Sequence, residues 1–127
     1  MGATIYPAQR KEIKIDGVWT YMLDSVIDAE YFQVEDPDFG TVSIGNPWEM
    51  HLSYSTVSRL FSLLDLHTER DQYAAQYSLT DVCGRLEALM EHEHWGQLTS
   101  RDQDLMDGLL RICFYGLRNG AELIAWS

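Results

Sequence analysis

The amino-acid sequence predicts an α+β domain in which three helices cover one face of an antiparallel sheet of four or five strands, the last strand coming from the C-terminus. Three observations lead there. The first half alternates polar and apolar residues in short runs separated by turn residues, the second half spaces apolar residues at helical intervals behind Ser-led starts, and residues 121–126 turn apolar again. With 127 residues the chain fits one domain, 1–127, strand-rich over 1–46, helical over 53–119 and extended over 121–126.

Residues 11–15 alternate, Asp16-Gly17 supplies the pair that a type I′ turn prefers, and 18–23 resume an extended pattern, which together predict a β-hairpin. A second pairing follows. Residues 29–35 place Phe32 and Val34 on one face, Pro37-Asp38-Phe39-Gly40 turns the chain, and 41–44 return. Gly45-Asn46-Pro47 ends the sheet region.

Ser53 or Ser55 can cap a first helix, whose buried face is Val57, Leu60, Phe61 and Leu64, widened by Leu63 and Leu66. Residues 67–77 link it to the next, with room for an extra helical turn. Ser78-Leu79-Thr80-Asp81 begins a second helix with Val82, Cys83, Leu86, Leu89 and Met90 on its stripe, weakened at Gly84 by roughly 1 kcal/mol relative to Ala. Ser100, with Gln103 at the capping-box position, begins a third helix. It runs through Leu105, Met106, Leu109, Ile112, Cys113 and Leu117 to a stop at Asn119-Gly120, with Arg111 and Arg118 suiting its C-terminal dipole. Residues 121–126 are too apolar to dangle in water and return to the N-terminal sheet.

Hydrophobic residues at 46% are too many for a disordered chain, even with a net charge of -11. That charge argues against direct binding to nucleic acid or to anionic lipid, both of which need clustered Lys and Arg. Cys83 and Cys113 fall in apolar helical stripes and read as reduced core thiols. The N-terminus lacks the pattern of a signal peptide, Tyr6 stands where a myristoylation signal wants Ser or Thr, and no run approaches a membrane span. The expected location is the cytoplasm, or the host cytoplasm for a phage-encoded chain.

Catalytic and metal signatures do not develop. Asp38-Phe39-Gly40 spells a kinase metal-binding triplet, but it lacks that fold's other motifs and reads as a turn. In Glu91-His92-Glu93-His94 the two imidazoles point about 200° apart on a helix and lack the His-Glu-x-x-His spacing, so a solvated helix end is expected, with no metal. His51, His67 and Cys83 are the other residues that a metal reading would enlist. The carboxylates Asp102, Asp104 and Asp107 read as solvated, Asp102 and Asp104 as first-turn residues favoured by the helix dipole. Ser53, Ser55, Ser58 and Ser62 lack a nucleophile elbow, and the glycines form no phosphate-cradling loop. No cofactor is expected.

One bias stands out. Residues 15–58 contain no Lys or Arg and eight carboxylates, Asp16, Asp24, Asp28, Glu30, Glu35, Asp36, Asp38 and Glu49, interleaved with seven aromatic residues. A sheet core accounts for Trp19, Tyr21, Phe32 and Trp48, with the acids facing water. Both alternating positions of 18–23 are apolar, however, so that strand needs cover from a central place in the sheet or from an interface. Acid mixed with aromatic also suits a basic partner. The surface expected to meet it comprises Asp24, Asp28, Glu30, Glu35, Asp36 and Asp38, with Tyr31 or Trp48 as the apolar anchor.

By charge and size the chain resembles small acidic nucleic-acid mimics, such as phage inhibitors of restriction or CRISPR systems, and the immunity proteins that neutralise nuclease toxins. The resemblance implies a non-enzymatic protein that occupies the basic site of a nucleic-acid-binding protein or nuclease. Two other readings are a small enzyme or ligand-binding domain with a pocket between sheet and helices, using His92, His94 or His51, and a homo-oligomer that buries its spare aromatic face against itself.

Overall fold

The computed structural model describes residues 2–27, 33–43, 46–66 and 74–127. Its order is β1 (Gly2–Ile15), β2 (Val18–Ser25), β3 (Gln33–Asp36), β4 (Gly40–Ser43), β5 (Met50–Ser53), α1 (Tyr54–Leu63), β6 (Ala75–Ser78), α2 (Leu79–Glu91), a 3-10 segment (Glu93–Gln97), α3 (Ser100–Arg118) and β7 (Leu123–Trp126). The fold is α+β, with a five-stranded antiparallel sheet that includes the C-terminal strand.

β1 organises the sheet because it meets three strands in succession. Gly2 to Ile5 pair with β5, Ile5 to Ala8 with β7, and Ala8 to Ile15 with β2, while β6 lies beyond β7. Pro7 stands where one edge of β1 changes neighbour from β5 to β2. Its carbonyl takes the Val26 amide there at 3.2 Å, so the N–H that proline lacks would have faced the junction rather than β7. The Asp16-Gly17 turn is the expected two-residue connection, with both residues at positive φ (50° and 82°) and Ile15 opposite Val18.

The core lies between one face of the sheet, carrying Ala3, Ile5, Ile124 and Trp126, and the apolar stripes of the helices. Val57, Leu60 and Phe61 come from α1, Leu79, Val82 and Leu86 from α2, and Met106, Leu109, Ile112 and Cys113 from α3. Gly116 lets α3 sit close to β1, since a Cβ there would meet Leu79 Cδ1 at 2.7 Å and Pro7 Cβ at 3.0 Å. Trp126 Nε1 is buried beside the Tyr77 hydroxyl; burial raises the Tyr77 pKa, and the indole partly offsets the rise.

The ends of α1 and α3 are set by their caps, whereas Ser78, at the N-cap of α2, makes no side-chain cap hydrogen bond. Ser53 Oγ accepts the Thr56 amide at 3.2 Å, as expected for α1. Asp65 (φ 58°) then takes the left-handed position, the Leu66 amide reaches back to the Phe61 carbonyl, and Arg85 of α2 donates to the Leu64 and Asp65 carbonyls. α3 begins at Ser100 as expected, but its cap lies one residue before the Ser-led pattern places it. Thr99 is the N-cap and accepts the Asp102 amide, while Gln103, expected in a capping box, donates instead to the Trp95 carbonyl at 2.8 Å. Its end is as expected, with Gly120 at φ 78° and the Ala121 amide on the Gly116 carbonyl.

Several expectations need correction. β5 extends the sheet past residue 46, and β6 occupies part of the presumed helical linker, because pairing with β1 and β7 makes strands of short segments with weak local preference. β3 and β4 pair with each other and, among the described residues, form a separate two-stranded ribbon. Asp102 is buried rather than solvated; its carboxylate accepts a 2.6 Å hydrogen bond from Arg59 that ties α3 to α1. Trp19 and Tyr21, expected in a sheet core, are 68% and 66% exposed because β2 is an edge strand that extends beyond the helices.

Candidate partner-binding surface

The β3–β4 ribbon gathers three of the carboxylates that the sequence singles out. Asp36 shapes its tip, its Oδ1 accepting the Asp38 amide at 2.8 Å and the Phe39 amide at 3.1 Å, an Asx-type turn that Gly40 completes at φ 75°. Glu35 accepts the Thr41 hydroxyl at 2.6 Å across the ribbon. Asp38 is exposed, and Phe39 at the apex is 81% exposed, the most exposed of the large apolar side chains among the described residues. The tip thus presents an unburied aromatic ring next to Asp38 in the chain, with the Asp36 and Glu35 carboxylates held by hydrogen bonds to the backbone and to Thr41.

The remaining predicted residues are distributed differently. Asp24 is half-buried near the end of β2, opposite Gln9 of β1, and so belongs to the other hairpin. Asp28, Glu30 and Tyr31 lie outside the described residues, as does Phe32. Trp48 is half-buried, and its ring stacks on Tyr115 of α3 at 4.6 Å between centroids. Glu49, a further acid of the cation-free stretch, stands 3.3 Å from His51, which also bonds Thr4 at 2.8 Å.

Phe39 is the residue that sequence reasoning passed over. It sits between Asp38 and Gly40 at the apex of a predicted turn, where a tight ribbon has no interior in which to hide a ring, and that position was the available signal.

The alternative sites gain little from the geometry. α2 ends at Glu91, so His92 and His94 are not opposed across a helix but stack at 4.8 Å with an interplanar angle of 9°. The His92 Nδ1 accepts the His94 amide and the His94 Nδ1 faces Gln97 Oε1, which engages one nitrogen of each ring. No group of three or more potential metal ligands occurs among the described residues. Burial pushes the Cys113 thiol up to about 12, with Cys83 adding to the rise, and the Cys83 thiol is itself raised by burial and by Glu87. Both thiols are free, and both are poor nucleophiles at neutral pH. Two shallow depressions, of about 320 and 330 Å³, lie at the β1–β5 edge and beside Tyr6, Leu23 and Trp126, rather than between the sheet and the helices.

Comparison with protein families, with curated proteins and with solved structures finds no match to this chain. No helix among the described residues is long and apolar enough to cross a membrane.

Proposed function

We propose that this is a non-enzymatic acidic binding protein whose β3–β4 ribbon enters a basic site on a partner protein, a site built for nucleic acid. This is the mode of action of nucleic-acid mimics that inhibit restriction or CRISPR nucleases, and of immunity proteins that neutralise nuclease toxins. The observation that carries the reading is the ribbon tip, where Glu35, Asp36 and Asp38 surround an exposed Phe39. Carboxylates stand in for backbone phosphates and draw a cationic cleft over a Debye length of about 10 Å at 0.1 M salt. The aromatic ring then supplies the apolar contact that water exclusion strengthens. Hydrogen bonding within the ribbon fixes the Glu35 and Asp36 carboxylates before binding, which lowers the ordering cost.

Capture from native lysate with three baits tests this: the natural chain, the E35Q/D36N/D38N variant and F39A. Asn at position 36 keeps the side-chain oxygen that accepts the turn amides. A basic nucleic-acid-binding protein held by the natural chain, lost with the triple variant and weakened with F39A, is the expected result. An identical set of captured proteins on all three baits rejects the reading.

A further inference from the structure

Beyond the acidic ribbon, the longest unpartnered surface among the described residues is the arm formed by β2 and residues 9–15 of β1. β7 leaves β1 at Ala8, so past that point the two strands have only each other as sheet neighbours among the described residues. Within the arm, β2 carries apolar side chains on both faces. Directly opposed residues share a face, which puts Trp19, Tyr21 and Leu23 with Lys14, Glu12 and Arg10 on one side, and Val18, Thr20 and Met22 with Ile15, Ile13 and Lys11 on the other. Ile15, Val18, Trp19, Tyr21, Met22 and Leu23 are all between 37% and 68% exposed.

Among the described residues the outer edge of β2 has no strand beside it, and the register says which backbone groups face that way. In an antiparallel pair bonded and non-bonded positions alternate, and a two-residue loop makes its flanking pair, Ile15 and Val18, a bonded one. Val18, Thr20, Met22 and Asp24 therefore spend their N–H and C=O groups on β1. Those of Trp19, Tyr21 and Leu23 point outward from the edge. The Val26 amide on the Pro7 carbonyl keeps the same parity, since even-numbered residues face β1 there too. β2 also lacks the usual guards of an exposed edge, because its eight residues hold no Lys, no Pro and no other charge than Asp24.

We propose that β2 is a dimerisation edge, pairing antiparallel with β2 of a second copy about a two-fold axis through Tyr21. That register sets Tyr21 against Tyr21 and Trp19 against Leu23, which uses the outward-pointing groups and joins the two Trp19-Tyr21-Leu23 rows into one apolar band on one face.

Charge favours a second copy as the occupant. Arg10, Lys11 and Lys14 balance Glu12, Asp16 and Asp24, so the arm is locally neutral in a chain of net charge -11, and two such chains meet there with least repulsion. Across the paired edge, Trp19 of each copy stands beside Leu23 of the other and the two Tyr21 rings adjoin, so side chains that are 37% to 68% exposed gain apolar neighbours. The inference does not depend on the acidic ribbon, and salt separates the two. Binding of a cationic partner weakens as salt rises, whereas self-association of like-charged chains is unchanged or strengthened.

The full chain, without any other protein, is measured by light scattering and sedimentation across the micromolar range, and by amide hydrogen exchange at both ends of that range. The expected result is a two-chain mass, reduced to one by Y21K. The Trp19, Tyr21 and Leu23 amides should slow at least tenfold as concentration rises, while those of Val18, Thr20 and Met22 stay protected throughout. A one-chain mass at every concentration overturns the proposal, as does a dimer that Y21K leaves intact while folded. Exchange on the natural chain alone decides the matter should Y21K fail to fold: a dimer without concentration-dependent protection at the three outward amides also overturns it.

Discussion

The indole of Trp48 lies nearly flat on the ring of Tyr115, with centroids 4.6 Å apart and planes 11° from parallel. The stack fastens the segment that follows the acidic ribbon to the C-terminal part of α3. It also commits an aromatic ring that the acid-rich context alone would offer to a partner. W48A should lower stability by about 2 kcal/mol, combining lost burial with the loss of a stacked pair. Urea unfolding measures that loss, and the association rate with a captured partner, corrected for the folded fraction, should be unaltered.

Arg59 and Asp102 are the second tie between elements. The carboxylate is buried, while the guanidinium is half in water, so the pair is weaker than one wholly inside the protein. R59M leaves the carboxylate without this partner and should cost about 1–2 kcal/mol. A double-mutant cycle with D102N should return a coupling of roughly 1 kcal/mol, and a value of zero would show the contact to be incidental.

Stability should fall in alkali, and the cysteines give the sign. The Cys113 thiol titrates near 9 when unfolded and at about 12 when folded. Between those values the unfolded chain has lost the proton that the folded chain keeps, so the contribution is whole below pH 9 and drains away as pH rises towards 12. The limiting slope is about 1.4 kcal/mol per pH unit. Cys83 and Tyr77, both raised by burial, act in the same direction. Urea titrations of the natural chain and C113A from pH 8 upward should show a shallower decline in the variant. Ellman reagent at pH 8 should leave Cys113 untouched in the folded protein and find both thiols in denaturant.

Local chemistry was readable from the chain and non-local pairing was not. Asp16-Gly17 needs only its own φ angles to make a hairpin, Ser53 caps a helix within its own turn, and Asn119-Gly120 ends one in the same way. By contrast Ala75-Gln76-Tyr77-Ser78 becomes a strand only because β7 lies beside it, and no nearby residue announces that. The acid-aromatic bias was visible as composition. Its division between an arm and a ribbon, with Trp48 drawn inward to Tyr115 and Phe39 left outside, depends on which segments the core reaches. The burial of Asp102 has the same origin, since its partner is 43 residues away in the chain.

The central claim is that the ribbon tip meets a cationic site, and association kinetics test it most directly. The rate constant for binding the captured partner is measured for the natural chain and for E35Q/D36N/D38N from about 20 mM to about 0.5 M salt. The natural chain should associate at least tenfold faster at the low end, with the two rates converging as salt screens the carboxylates. Equal rates at low salt, or a rate for the natural chain that salt does not change, would contradict the account.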